Sequence, residues 1–123
     1  MGATTKLLDL WQEGAVEFVV CPRLLDEVGR TLLDARVSVK YGLDEADITE
    51  FVERLREEGV GFDDPVDPPR VVPSDPNDDY LVALALASGA ESLITRDQHF
   101  DDVSVRGLRI ISPGRLLRRF RES

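Results

Sequence analysis

The sequence predicts an α/β protein, a three-layer α/β/α arrangement around a mostly parallel central sheet. Short β-branched and apolar runs at 16–20, 92–95 and 109–111 alternate with stretches of helical periodicity. Strands separated by helices imply parallel pairing, with right-handed crossovers that place helices on both faces. The composition, 42% hydrophobic and 32% charged over 123 residues, suits a folded domain and excludes a disordered or fibrous chain. A single domain over residues 1–123 is expected, burying about two-thirds of the surface its unfolded chain exposes.

The elements follow in order. Thr4 or Thr5 caps a short helix through Leu7, Leu8, Leu10 and Trp11, with Gly14 just past its end. Val16-Glu17-Phe18-Val19-Val20 reads as a strand. Pro22 suits a first helical position, and Leu24, Leu25, Val28, Leu32 and Leu33 carry an amphipathic helix over 22–36. Asp44 with Asp47 three residues on opens a second long helix, whose stripe is Ile48, Phe51, Val52 and Leu55, before Gly59. Residues 63–76 are rich in Asp and Pro and read as loop, with Asp63, Asp64 and Asp67 solvated; Arg70-Val71-Val72 is the stretch within them suited to a sheet. Residues 80–88 are apolar nearly all round, a buried helix ending at Gly89. Arg109-Ile110-Ile111 is the last strand, and Ser112-Pro113 opens a final helix through Leu116, Leu117 and Phe120.

Charge and cysteine content narrow the function. The net charge of −9 argues against a sequence-blind nucleic-acid binder held by general basicity. It is unevenly placed: residues 1–100 hold 21 acidic and nine basic groups, residues 101–123 three acidic and six basic. Arg115, Arg118, Arg119 and Arg121 crowd the last turns, where they favour a helix C-terminus and are also suited to phosphate. One cysteine, Cys21, excludes an internal disulfide framework and a multi-thiolate zinc site, and reads as a small buried residue. No apolar run approaches the ~20 residues needed to span a bilayer, and the N-terminus has no signal-peptide core. No membrane association and a cytoplasmic location are expected.

In a parallel α/β sheet functional groups collect at the carboxyl ends of strands. Asp97 lies two residues beyond Thr95, at such an end, and Asp78 and Asp79 sit where a helix N-terminus favours negative charge. Glu27 borders the core-facing stripe of the 22–36 helix. Singly, each also reads as a cap, a turn residue or a solvated acid; converging, they require a cation, and such hard oxygen donors suit Mg²⁺ or Mn²⁺. The one histidine, His99, reads as an exposed loop side chain beside Phe100 rather than a catalytic base. No phosphate-cradling glycine loop is present, so P-loop chemistry is unsupported.

Asp75-Pro76-Asn77-Asp78-Asp79-Tyr80-Leu81-Val82-Ala83-Leu84-Ala85, followed by Ser92-Leu93-Ile94-Thr95-Arg96-Asp97, resembles the second half of a PIN domain, most of all the VapC-like toxin components of prokaryotic toxin–antitoxin systems. The run from Phe18 to Val28 resembles the family's second strand and following helix, and the run from Leu108 to Pro113 its last strand entering a helix. The resemblance covers about residues 6–120. It implies a metal-dependent endoribonuclease in which Glu27, Asp78 and Asp97 are catalytic, metal-binding carboxylates. Asp79 competes with Asp78, which is preferred because Ala83 and Ala85 then fall where the family keeps small residues. Thr95 helps shape the site, Mg²⁺ or Mn²⁺ is the cofactor, and Arg115, Arg118 and Arg119 bind RNA. A cognate antitoxin and a homodimer are the implied protein partners. Two departures accompany the likeness. The family opens with an apolar strand ending in Asp, whereas this sequence starts at the family's first helix, so an N-terminally shortened or degenerate member with one carboxylate fewer is expected. His99 stands where relatives often carry another Asp. The alternatives are a catalytically degenerate PIN-fold module that binds RNA or protein and, last, a phospho-acceptor signalling domain, whose acid pair and late Lys are not present.

Overall fold

The computed structural model describes residues 3–73, 75–95 and 97–122. The elements run α1 (Ala3–Gln12), β1 (Val19–Val20), α2 (Pro22–Leu33), α3 (Ala35–Tyr41), α4 (Glu45–Glu58), β2 (Val60–Gly61), α5 (Asp79–Ser88), β3 (Ser92–Ile94), β4 (Arg109–Ile111) and α6 (Pro113–Glu122). The class is α/β with parallel strand pairing, and the strands are shorter than the sequence suggests. Two compact units are present, Phe18–Asp64 and the pair of segments Met1–Glu17 with Pro65–Ser123. The side chains of Thr4, Thr5, Phe120 and Arg121, and the whole of Arg96, lie outside the described residues. Among the described residues no helix is long and apolar enough to cross a membrane.

In the unit Phe18–Asp64, β1 pairs with β2 in parallel, Val19 opposite Val60 and Val20 opposite Gly61. Val60 N donates to Phe18 O at 2.8 Å and Phe62 N to Val20 O at 2.9 Å. Cys21 is the residue before α2 and gives no side-chain cap; Asp64 supplies one from 41 positions away, its Oδ1 accepting from Arg23 N at 2.9 Å. Asp64 is therefore an exposed loop acid, as the sequence suggests, that also caps a helix distant in sequence. Cys21 is 1% exposed, and burial pushes its thiol above the ordinary cysteine range, so it is packing rather than a nucleophile. The helix expected over 22–36 breaks at Asp34, whose backbone (φ −59°, ψ 127°) leaves the helical region. Asp34 then caps α3, accepting from Arg36 N at 2.9 Å and from the Arg36 guanidinium at 3.1 Å. At α4 the capping box is complete, Asp44 and Asp47 each accepting from the other's backbone N–H. Helices α2 and α4 pack together, and Leu25 of α2 and Ile48 and Leu55 of α4 are buried.

In the other unit α1 packs against α6, and β3 pairs with β4 in parallel, Leu93 opposite Ile110 and Ile94 opposite Ile111. The core is Val72, Val82, Ala85, Phe100 and Leu108, with Val71, Leu81 and Leu93 against it. Helix α5 buries Tyr80, Val82, Leu84 and Ala85, but Leu86 and Ala87 on its other side are exposed, so the helix is buried along one face and not all round as the sequence suggests. Gly89 ends it at φ 70°, in the left-handed region. Residues 70–72 form no strand: the N–H groups of Val71 and Val72 donate to the Asp79 carboxylate instead of to a ladder.

Two glycines of the Phe18–Asp64 unit should respond oppositely to a methyl group. A Cβ on Gly59 would lie 2.5 Å from Leu55 O and 3.1 Å from Val20 Cγ2, so the backbone must move. A Cβ on Gly29, inside α2, would meet Val52 Cγ2 at an ordinary 3.8 Å. Gly59→Ala is expected to destabilise by about 1–3 kcal/mol. Gly29→Ala should be neutral or stabilising by up to about 1 kcal/mol through helix propensity. Urea unfolding of the two variants checks both signs.

Candidate metal centre

Two short turns build the site, one before α5 and one after β3. In the first, Asp75 caps a single 3₁₀ turn, Pro76–Asp78, with its Oδ1 accepting from Asn77 N at 3.0 Å. Asp75 N donates to Val72 O, tying the turn to the buried Val72. Asp78 and Asp79 follow, and the helix treats them differently. Asp79 is 2% exposed, its Oδ1 accepting from Val71 N at 3.0 Å and Val72 N at 2.8 Å, while its Oδ2 lies 3.1 Å from Arg70 Nε. The two backbone hydrogen bonds, aided by the Arg70 guanidinium, hold this carboxyl below the ordinary carboxylate range against the opposing effect of burial. Asp78 is half-buried and makes no cap bond to α5.

The second turn continues from β3. Thr95 N donates to Ile111 O at 3.0 Å, extending the pairing by one residue. Thr95 Oγ1 then accepts from Asp97 N at 3.0 Å, and Asp97 Oδ1 from His99 N at 2.8 Å. Residues Gln98–Phe100 make a 3₁₀ turn that delivers Phe100 to the core, 4% exposed.

These turns bring together Asp75, Asp78 and His99, with one donor atom from each lying within 4.8 Å of the others. Donors on opposite sides of an octahedral Mg²⁺ are about 4.2 Å apart, so small rotations suffice to close this set on an ion. Two unit negative charges at such a distance repel by about 1 kcal/mol in bulk water and about 4 kcal/mol in the lower effective dielectric near a protein surface, a cost that a cation between the two half-buried carboxylates reverses. Two carboxylates and an imidazole fit a divalent cation of the Mg²⁺ to Zn²⁺ range.

Of the residues expected from sequence, Asp78 is in the cluster and Asp97 adjoins it through His99, whose Nδ1 lies 3.3 Å from Asp97 Oδ1. Thr95 shapes the second turn through Asp97 N. Asp79 is held away from the cluster, both oxygens engaged by residues 70–72. Glu27 belongs to the Phe18–Asp64 unit, half-buried on α2 with its Oε1 3.9 Å from Arg23 Nε. Arg115, Arg118 and Arg119 lie exposed on α6, where Arg115 N donates to the capping Ser112 Oγ at 3.3 Å. Sequence reasoning missed Asp75 and His99. Their signals were present: Asp75 precedes Asp78 by three residues, a spacing that shares one side of a helical turn, and His99 follows Asp97 by two. His99 is exposed, as its loop position suggests, yet it faces two carboxylates.

The fold and donor set define an α/β domain with a cation-sized carboxylate and imidazole cluster beyond a strand's carboxyl end. A PIN domain family model matches residues 1–99, and the chain belongs to that family. PIN domains are in general metal-dependent nucleases. No curated protein and no solved structure matches the chain.

The Asp79 bonds have a pH signature. A carboxyl whose folded pKa lies below its unfolded value, ~3.9, gives stability that is present above that value and lost as pH falls through the folded pKa. Asp79→Asn, which keeps an acceptor for the two N–H groups, should lose that part of the acid dependence. Leaving a buried donor without an acceptor costs about 1–3 kcal/mol, so Asp79→Ala should unfold several degrees lower at pH 7. Thermal melts from pH 7 to 3 test both.

Proposed function

We propose that this protein is a metal-dependent endoribonuclease of the toxin–antitoxin kind, hydrolysing RNA phosphodiester bonds at the Asp75, Asp78 and His99 cluster. The observation that carries the reading is that cluster, formed in a chain of a family whose members are in general metal-dependent nucleases. A divalent cation bound there supplies a water of lowered pKa and stabilises charge building on the phosphate. Asp75 and Asp78 hold it with hard oxygens, each presented by a turn pinned to the core. Thr95 and Asp97 keep the opposite wall in register. Asp79 is a positioning group in this reading, because its oxygens stabilise the segment that carries Asp75. Glu27 enters as a further carboxylate from the resemblance alone, as do the cognate antitoxin and the homodimer. RNA reaches a chain of net charge −9 along a local basic strip, which Arg115, Arg118 and Arg119 of α6 offer.

Cleavage of a mixed single-stranded RNA pool with Mn²⁺ or Mg²⁺, against an EDTA control, tests the reading. Asp78→Asn should lower cleavage by at least about 100-fold, the scale of losing one group that stabilises developing charge. Unchanged cleavage in that variant overturns the assignment. RNA binding without cleavage by the wild-type chain would instead support the rival reading of a PIN-fold binding module. Replacing Arg118 and Arg119 by Ala should weaken RNA binding and reduce the slope of log affinity against log salt by roughly 1–2.

A further inference from the structure

We propose that His99 is a nitrogen ligand of the cation site and that Asp97 is a positioning residue acting through it, so that the centre selects Mn²⁺ over Mg²⁺. The inference rests on the reading that Asp75 and Asp78 hold a cation. It departs from an all-carboxylate site, in which Asp97 would itself be a ligand.

The geometry comes from one short segment. Thr95, Asp97 and His99 are linked by successive bonds two residues apart, Thr95 Oγ1 accepting from Asp97 N and Asp97 Oδ1 from His99 N. The segment is fixed at both ends, by Thr95 N on Ile111 O and by Phe100 in the core. The backbone N–H of His99 is bonded to the carboxylate beside its ring, which fixes where the side chain leaves the turn. That carboxylate oxygen lies 3.3 Å from Nδ1. With the Nδ1 side of the ring toward Asp97, Nε2 is the nitrogen left for a cation, the arrangement in which a carboxylate orients a ligand imidazole. Asp97 Oδ1 accepts from the His99 N–H and faces the ring, and Asp97 is not among the donors that lie within 4.8 Å of one another, so its effect on a cation passes through the imidazole. Mg²⁺ favours oxygen donors and keeps its waters, whereas an imidazole nitrogen favours first-row transition ions.

Because His99 is the chain's sole histidine, one imidazole spectrum reports the site. Mn²⁺ binding is followed by the EPR signal of the free ion with Mg²⁺ as competitor, and the imidazole nitrogens by NMR with and without diamagnetic Zn²⁺. The full chain should bind Mn²⁺ at least about tenfold more tightly than Mg²⁺. His99→Asp, an all-oxygen set, should bring the two affinities together. Asp97→Asn should weaken Mn²⁺ by about 10–100-fold and shift the metal-free imidazole toward the Nε2–H tautomer, a change a purely structural role would not produce. If His99→Asp keeps the Mn²⁺ preference and Zn²⁺ leaves the imidazole nitrogens unmoved, the inference is overturned. In that case, loss of Mn²⁺ binding in Asp75→Asn with Asp78→Asn would leave the cation site itself standing. A wild-type chain that binds neither Mn²⁺ nor Mg²⁺ overturns both.

Discussion

The carboxylate of Asp79 is the interaction on which the candidate site depends. It accepts two backbone N–H groups from Val71 and Val72 and pairs with Arg70, so one buried side chain satisfies donors that would otherwise need a strand partner. The bonds bring the 70–72 segment onto the first turn of α5, with Val72 fully buried beneath it. Three residues later the chain reaches Asp75, whose own N–H returns to Val72 O. Adjacent positions in a helical turn point about 100° apart. With Asp79 turned inward, Asp78 is turned toward Asp75 and His99. The burial of one acid is what displays its neighbour.

The opposite wall of the site has a different origin. It begins at the carboxyl end of the β3–β4 pair, where Thr95 adds one more bond to Ile111, and passes through two side-chain-to-backbone bonds to Phe100. Val72 and Phe100 belong to the same buried cluster, so the walls share an anchor although they are separated by 28 positions of sequence. Packing strength in this core and geometry at the rim are therefore linked: a void beneath Phe100 or Val72 loosens the turns that carry the donors. Functional groups on short turns at a strand end, braced by a core, are a common solution in α/β sheets.

Much of the secondary structure was legible because its signals are local. The α4 capping box, Pro22 at the start of α2, the apolar run of α5 closed by Gly89, and Ser112-Pro113 ahead of α6 each depend on a few neighbouring residues. Two features that local signals miss come from bonds to residues farther along the chain. Asp64 looks like a loop acid until α2 brings its first N–H groups near it. Residues 70–72 have the β-branched character of a strand, but their donors are taken by a carboxylate seven and eight positions away. The break at Asp34 is local, but an apolar spacing that continues through Leu33 masks it. Strand β2 is only two residues, Val60 and Gly61, both exposed, with no apolar pattern to announce it.

By itself, the sequence determined the α/β class, the order of most helices, the family likeness borne by the motifs at 75–85 and 92–97, and the presence of several acids near one helix start. Spacing by itself did not decide which of two adjacent acids, Asp78 or Asp79, would face outward; the preference for Asp78 came from the family likeness, through Ala83 and Ala85. Nor did the sequence join Asp75 to His99, which are 24 positions apart and individually read as loop residues. Those choices were made by the tertiary structure. The orientation of a carboxylate at a helix start depends on which backbone donors the folded chain brings to it, and here the donors come from Val71 and Val72.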